Sequence, residues 1–137
     1  NASCFKGSGY FLMQVEGIEI GPFLKAFKTF ELFRHDMVTE RDKAGAIQAF
    51  EFCYELAWKT LKRILSQRGI ETRSPRDCFR EAALNNLIAD PKIWFRFIEI
   101  RNITVHTYDE TTVEEVLGIF EDFSSALKEM IHALLRP

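Results

Sequence analysis

One short segment of the sequence concentrates side chains that perform acid–base and phosphate chemistry. Residues 100–109 read IRNITVHTYD and bring together Arg101, Asn102, His106, Tyr108 and Asp109. Arginine binds phosphate oxygens through two parallel hydrogen bonds and stays charged, whereas histidine moves a proton near neutral pH. An asparagine can orient the histidine or bind the scissile group. Because RNA carries its own nucleophile, the 2′-hydroxyl, this set favours phosphodiester cleavage that needs no metal.

The spacing of these residues on a helix leaves two interpretations open. Asn102 and His106 are four residues apart and share a face if the helix persists, whereas Arg101 and His106 are separated by about 140° around an ideal helix. Arg101 and His106 converge only if the helix end unwinds or if a second chain brings its own copy alongside. The alternative is a plain helix C-cap, in which Asn102 and His106 satisfy backbone carbonyls while Arg101 pairs with Glu99 or Asp109.

The elements that position this segment are predicted to be helices. The chain has only 4 Pro and 7 Gly, and four of the glycines precede Pro22. Helix start and stop signals are typical of an all-α antiparallel bundle of four to five helices. The predicted helices begin at Pro22, at about residue 41 (ending at 67, with Gly69 as cap), at Ser74–Pro75 (ending at Asn85–Asn86), at Asp90–Pro91, and at Thr111 or Thr112. Residues 10–20 favour a short extended segment.

Helical periodicity also predicts which side chains are buried. In the first helix the apolar stripe is Phe23, Phe27, Phe30, Phe33 and Met37, which suits a core or a dimer face. In the third it includes Phe79, Ala82 and Ala83. In the fourth it includes Trp94, Phe97, Ile98, Arg101 and Val105. In the fifth it runs through Val113, Val116, Phe120, Phe123, Leu127 and Leu134.

Length and composition bound the class of protein. A chain of 137 residues with a net charge of −2 is one ordinary domain and not a polycation that grips nucleic acid by bulk charge. Cys4, Cys53 and Cys78 are too scattered for a disulfide framework or a zinc site, so we expect reduced cysteines, a cytoplasmic location and no metal. No apolar run approaches the length of a membrane span. We expect residues 1–20 to be an N-terminal extension, derived in part from an expression tag, and residues 21–137 to form the helical domain.

Charge is distributed unevenly along the chain. Residues 59–80 contain seven basic and two acidic residues, a net charge of +5, whereas residues 102–137 carry −5. Solvated helix faces explain this pattern as well as a phosphate-binding surface does. The acidic face could equally meet a basic partner. The candidate RNA- or phosphate-binding residues are Lys59, Lys62, Arg63, Arg73, Arg76 and Arg80.

The string Arg101-x4-His106-x-Tyr108, with the polar Asn102 after the arginine, resembles the motif of the HepT-type toxins of the HEPN superfamily. These are also described as nucleotidyltransferase substrate-binding proteins. Two further stretches, residues 46–62 and 74–82, are similar to the family's second and third helices. The resemblance covers roughly residues 22–135.

The resemblance implies a homodimeric helical bundle in which two Arg-x4-His motifs share one cleft. It implies a metal-independent endoribonuclease in which Arg101 holds the scissile phosphate, Asn102 supports it and His106 transfers a proton. It also implies a partner, a minimal nucleotidyltransferase antitoxin, that uses ATP and Mg²⁺ to transfer AMP onto Tyr108. The bulk and negative charge of an adenylate there would exclude an RNA phosphate.

Other interpretations remain beside this one. The chain is alternatively a non-catalytic subunit that pairs with a nucleotidyltransferase and binds a nucleotide or phosphate in the dimer cleft, or a helical interaction protein without phosphate chemistry. Tyr108 is alternatively a partly buried loop aromatic. Glu51 and Glu55 are spaced like paired carboxylates, but solvated or Lys/Arg-paired acids, such as Glu55 with Lys59, are the preferred interpretation.

Overall fold

Six α-helices build the fold of residues 13–136, the part of the chain that the computed structural model describes. A small antiparallel hairpin precedes them, with β1 at Gln14–Val15 and β2 at Ile18–Glu19. The helices are α1 (Gly21–Arg34), α2 (Glu40–Gln67), α3 (Pro75–Leu84), α4 (Pro91–Ile103), α5 (Glu110–Leu117) and α6 (Phe120–Leu134). A 3₁₀ turn, Thr104–His106, follows α4. The predicted all-α bundle is confirmed.

The helix boundaries follow local capping chemistry. Ser74 Oγ accepts a hydrogen bond from the backbone N–H of Asp77 and starts α3, and Asp90 caps α4 through the N–H of Lys92. Gly69 follows α2 with a φ of 85°, the left-handed conformation that suits glycine at a helix C-terminus. Asn86 takes the same conformation after α3, with a φ of 62°. These predicted starts and stops are confirmed.

The prediction of one long last helix is wrong. Asp109, and not Thr111 or Thr112, is the N-cap of α5, since its carboxylate accepts a hydrogen bond from the N–H of Thr111. The helix then ends at Leu117, and Gly118 and Ile119 separate it from α6. The apolar period continues across the break, so periodicity alone did not reveal it.

A cluster of aromatic rings forms the centre of the bundle. Phe123 of α6 packs edge-to-face on Phe30, Phe50 and Phe97, with ring centroids 5.1, 4.8 and 5.0 Å away. Such edge-to-face pairs add stability beyond the area they bury. The cluster joins α1, α2, α4 and α6, and it fixes α4 against α2. Val15 and Ile20 of the hairpin segment are also buried in the core.

Several side chains predicted to lie in the core are exposed or only partly buried. Phe33 is 41% exposed, and Met37 lies beyond the end of α1, so the first stripe is shorter than predicted. Ala83 and Ile98 are only partly buried. Val105 is 67% exposed, because the helix has already tightened into the 3₁₀ turn and rotated this side chain outward.

Candidate functional site

The end of α4 carries Arg101 into a polar network with the middle of α2. Arg101 Nη1 lies 3.3 Å from Glu51 Oε2 and donates a hydrogen bond to Thr104 Oγ1 at 3.1 Å. Thr104 Oγ1 is 2.6 Å from Glu51 Oε2 and 2.7 Å from the carbonyl oxygen of Arg101. The Thr104 hydroxyl therefore bridges the carboxylate and the guanidinium at the end of α4.

This network corrects the pairing expected from the sequence. Arg101 contacts neither Glu99 nor Asp109, because Glu99 lies 3.8 Å from Arg96 and Asp109 caps α5. The Arg101 side chain is about one third exposed, and its Nε is buried without a hydrogen-bond partner among the described residues. The guanidinium is held through Nη1, whereas Nη2 makes no hydrogen bond within residues 13–136 and retains donor capacity for a ligand.

His106 and Tyr108 form a separate exposed pair beyond the helix end. His106 Nδ1 lies 3.1 Å from Tyr108 Oη, and the two rings meet edge-to-face at 5.7 Å. Tyr108 is 85% exposed, so the partly buried interpretation is wrong. The contact uses Nδ1 of His106. The other ring nitrogen, Nε2, has no protein partner within the described residues.

The helix does not continue far enough for Asn102 and His106 to share a face. α4 stops at Ile103, and Thr104–His106 form a 3₁₀ turn, which winds more tightly than the α-helix. Asn102 is exposed on the last turn of α4, and neither side chain is hydrogen-bonded to a helix carbonyl in the part of the chain described. The simple C-cap interpretation therefore fails, since neither Asn102 nor His106 satisfies a helix carbonyl there and Arg101 pairs with Glu51.

A groove of about 250 Å³ opens beside the Arg101 network. Its polar lining includes Lys43, Gln48, Glu51, Thr104 and Thr107, and its apolar lining includes Ile47 and Val113. Lys43 Nζ lies 3.9 Å from carboxylate oxygens of both Glu40 and Glu114. The groove thus offers hydrogen-bonding groups next to an apolar wall.

Comparison with known proteins now places the chain. A family model described as "nucleotidyltransferase substrate binding protein like" matches residues 20–136. The chain belongs to this family. A curated relative from Haemophilus influenzae, named probable ribonuclease HepT, is 43% identical over 96 residues. That match covers 64% of this chain and 66% of the relative, so it spans just under two thirds of the relative's length.

Two solved structures show the same family fold. A protein from Thermus thermophilus superposes with a TM-score of 0.77 at 26% identity, covering 83% of this chain and 99% of its own. A Haemophilus influenzae protein, reported to reveal the fold of a substrate binding domain of a nucleotidyltransferase, superposes with a TM-score of 0.76. It is 33% identical, and the match covers 83% of this chain and 97% of that protein.

The basic residues predicted to bind phosphate differ in their contacts and exposure. Lys59 lies 3.4 Å from Glu55, as expected, and Lys62 Nζ lies 5.9 Å from the centre of the Trp58 ring system. Arg76 and Arg80 lie over one aromatic ring, that of Phe95. Arg63 and Arg73 are exposed.

Two residues of the site were missed by sequence reasoning. Glu51 and Thr104 hold Arg101, but they are 53 residues apart and the sequence contains no local signal that joins them. Glu51 was noted only for its spacing to Glu55, and Thr104 was one polar residue inside the motif. Packing of α2 against the end of α4 creates the contact.

The sequence also led to expectations about cysteines, metal ligands and membrane spans, which residues 13–136 bear on as follows. Cys53 and Cys78 are buried free thiols, and burial raises the pKa of Cys78 to about 12, so neither is a ready nucleophile. Cys4 lies outside these residues. No group of three or more His, Cys, Asp or Glu side chains is placed there to hold a metal ion. No helix in this part of the chain is long and apolar enough to cross a membrane.

Proposed function

We propose that this chain is a HepT-type endoribonuclease toxin in which Arg101, Asn102 and His106 act on the phosphodiester. The observation that supports this most strongly is the Arg101 network, in which Glu51 and Thr104 hold a guanidinium on the last turn of α4, five residues before the exposed His106. A held guanidinium binds phosphate with less loss of side-chain entropy than a free one. The name of the Haemophilus influenzae relative, probable ribonuclease HepT, points to the same chemistry.

The reaction uses the nucleophile that RNA supplies. His106 accepts the proton of the 2′-hydroxyl, O2′ attacks the adjacent phosphorus, and the bond from phosphorus to the 5′-oxygen breaks. The products are a 2′,3′-cyclic phosphate and a 5′-hydroxyl, whose proton comes from a second acid. In a homodimer the partner's His106 supplies that acid, and Arg101 stabilises the charge that builds on the phosphate oxygens.

Exposed apolar side chains beside the site support a homodimer. Phe52 follows Glu51 and is 61% exposed, and Val105 follows Thr104 and is 67% exposed. Exposed large apolar side chains next in sequence to the network residues suit a surface that a second chain covers. A second copy seated there would bring two Arg-x4-His motifs into one cleft.

Tyr108 is the proposed point of control by a minimal nucleotidyltransferase. Its hydroxyl attacks the α-phosphorus of Mg²⁺-bound ATP, an oxygen–phosphorus bond forms, pyrophosphate leaves, and the phenolic proton passes to base or solvent. Its 85% exposure makes the hydroxyl accessible, and its contact with His106 places the adenylate beside the proposed base. The added negative charge would then repel RNA phosphate.

The test is cleavage of RNA by the purified protein in EDTA. We expect cleavage by the wild type and its loss in Arg101→Ala and in His106→Ala, with the helical circular dichroism and the oligomeric mass unchanged. His132→Ala, on the exposed surface of α6, is the matched control and should cleave normally. Activity that persists in both motif variants would overturn the assignment of these residues.

A second candidate is a non-catalytic substrate-binding subunit, which the descriptions of the family and of the solved Haemophilus influenzae relative favour. In this alternative the groove beside Glu51 and Thr104 receives a nucleotide. Calorimetric titration with ATP and AMP separates the two functions. Nucleotide binding without any RNA cleavage, together with a stable complex with a nucleotidyltransferase, would favour the binding subunit.

A further inference from the structure

Two arginines of α3 are stacked on a single ring of α4. The guanidinium carbon of Arg76 lies 4.4 Å from the centre of the Phe95 ring, and that of Arg80 lies 5.5 Å from it. The two arginines are four residues apart and therefore share one face of α3. An arginine held over an aromatic ring keeps N–H donors that can bind an anion such as a phosphate.

The charge of this pair is not neutralised by the residues around it. Both side chains are exposed, and neither forms an ion pair with a carboxylate within residues 13–136. Asp77, which lies between the two arginines in the chain, accepts the backbone N–H of Arg73 and forms no ion pair with either arginine within the described residues.

The position of the pair makes it unfavourable for the stability of α3. Like charges at this spacing repel, and the N-terminal turn of a helix, where Arg76 lies, disfavours cations. An anion bound between them would offset both penalties.

The ring also has a defined place relative to the proposed catalytic residues. Phe95 and Asn102 are seven residues apart on α4, which puts them within about 20° of each other on the helix and about 10 Å apart along it. Glu99 lies between them on the same face, and Arg96 pairs with its carboxylate at 3.8 Å. A short stretch of single-stranded RNA can follow this face from Asn102 to the two arginines.

We propose that Arg76 and Arg80, held on Phe95, form a phosphate-binding subsite for single-stranded RNA, distant from the bond that is cut. The subsite rests on the proposed ribonuclease function and adds to it a preference for substrates long enough to reach from Asn102 to Phe95. The shape of the guanidinium suits a phosphodiester, because it donates two parallel hydrogen bonds to a pair of phosphate oxygens. The remaining basic residues contribute only general attraction.

The experiment measures binding of a 2′-O-methyl RNA oligonucleotide, which cannot be cleaved, by fluorescence anisotropy. We expect the double variant Arg76→Gln/Arg80→Gln to bind about tenfold more weakly. The slope of log affinity against log salt concentration should fall by about 0.7 for each phosphate contact that is lost. Phe95→Leu retains both charges but removes the ring face, and it should weaken binding less than the double variant.

The matched control is Lys25→Gln/Lys28→Gln, which removes the same two charges from exposed positions on α1. We expect it to bind RNA nearly as the wild type does. An equal loss in both double variants would overturn the subsite, because only net charge would then matter. Unchanged RNA binding together with loss of a nucleotidyltransferase complex would overturn it in favour of a protein-docking surface. Circular dichroism melting confirms that each variant is folded.

A cleavage assay separates failure of the subsite from failure of the proposed function. With a dinucleotide substrate the double variant should cleave as the wild type does, whereas with a longer RNA its KM should rise about tenfold. Wild-type cleavage with no effect of the double variant on either substrate would overturn the subsite alone. Loss of binding in the double variant, with no cleavage by the wild type, would support the subsite and overturn the ribonuclease.

Discussion

Replacement of Thr104 by valine tests whether the polar network holds Arg101. The two side chains have nearly the same shape, so the change removes one hydroxyl and leaves no cavity. Thr104 is only 5% exposed, and its hydroxyl accepts a hydrogen bond from Arg101 at 3.1 Å and lies 2.6 Å from a Glu51 oxygen. The hydroxyl has a single proton, which we assign to Glu51, because this acceptor is charged and is the closer of its two.

The size of the effect follows from these contacts. A hydrogen bond to a charged group contributes about 1.5–3 kcal/mol, and two are lost. Arg101 and Glu51 are each about 30% exposed and regain part of this from water, and their direct contact at 3.3 Å remains. We therefore expect Thr104→Val to lower the free energy of unfolding by about 2 kcal/mol.

Urea unfolding at fixed protein concentration measures this loss, with an expected fall in the midpoint of roughly 1 M for a protein of this size. Thr111→Val is the control, because this substitution makes the same chemical change at an exposed position of α5. It should alter stability by less than about 0.5 kcal/mol. An equally small effect of Thr104→Val would refute the bridging role. A double-mutant cycle with Glu51→Gln should give a coupling energy of about 1 kcal/mol or more.

Three further predictions concern stability elsewhere in the fold. Burial alone would raise the pKa of Glu31, but hydrogen bonds from Ser124 and Arg34 and the charges of Arg34 and Lys128 hold it below its ordinary value of 4.5. The stability that the Glu31 carboxylate contributes is therefore complete above pH 4.5 and is lost as the pH falls through the lowered pKa. Glu31→Gln should flatten the acid side of a urea stability–pH profile, and an unchanged profile would contradict this. Gly69→Ala meets no atom within 4 Å but forces alanine to a φ of 85°, so thermal melting should show a loss of about 1 kcal/mol, whereas no loss would mean that the turn relaxes. Phe123→Ala opens a cavity among Phe30, Phe50 and Phe97 and should lower stability by about 3–5 kcal/mol in urea; a loss near 1 kcal/mol would mean that the core collapses around it.

Local signals in the sequence were sufficient for most helix boundaries. The Ser74–Pro75 and Asp90–Pro91 pairs and Gly69 act through hydrogen bonds and φ preferences that involve only a few neighbouring residues. The break at Gly118 was not visible in this way, because the apolar positions on both sides of it keep the same helical period. Tertiary packing, and not local propensity, decides where such a helix is interrupted.

The motif itself was readable, but its geometry was not. The sequence alone determined that arginine, asparagine, histidine and tyrosine lie within eight residues at a predicted helix end. Only the tertiary structure decided that Arg101 pairs with Glu51, that Thr104 bridges them, and that two arginines of α3 share the ring of Phe95. The physical reason is distance along the chain. Capping and turn chemistry act over a few residues, whereas these contacts join helices whose relative placement is fixed by burial of the aromatic core.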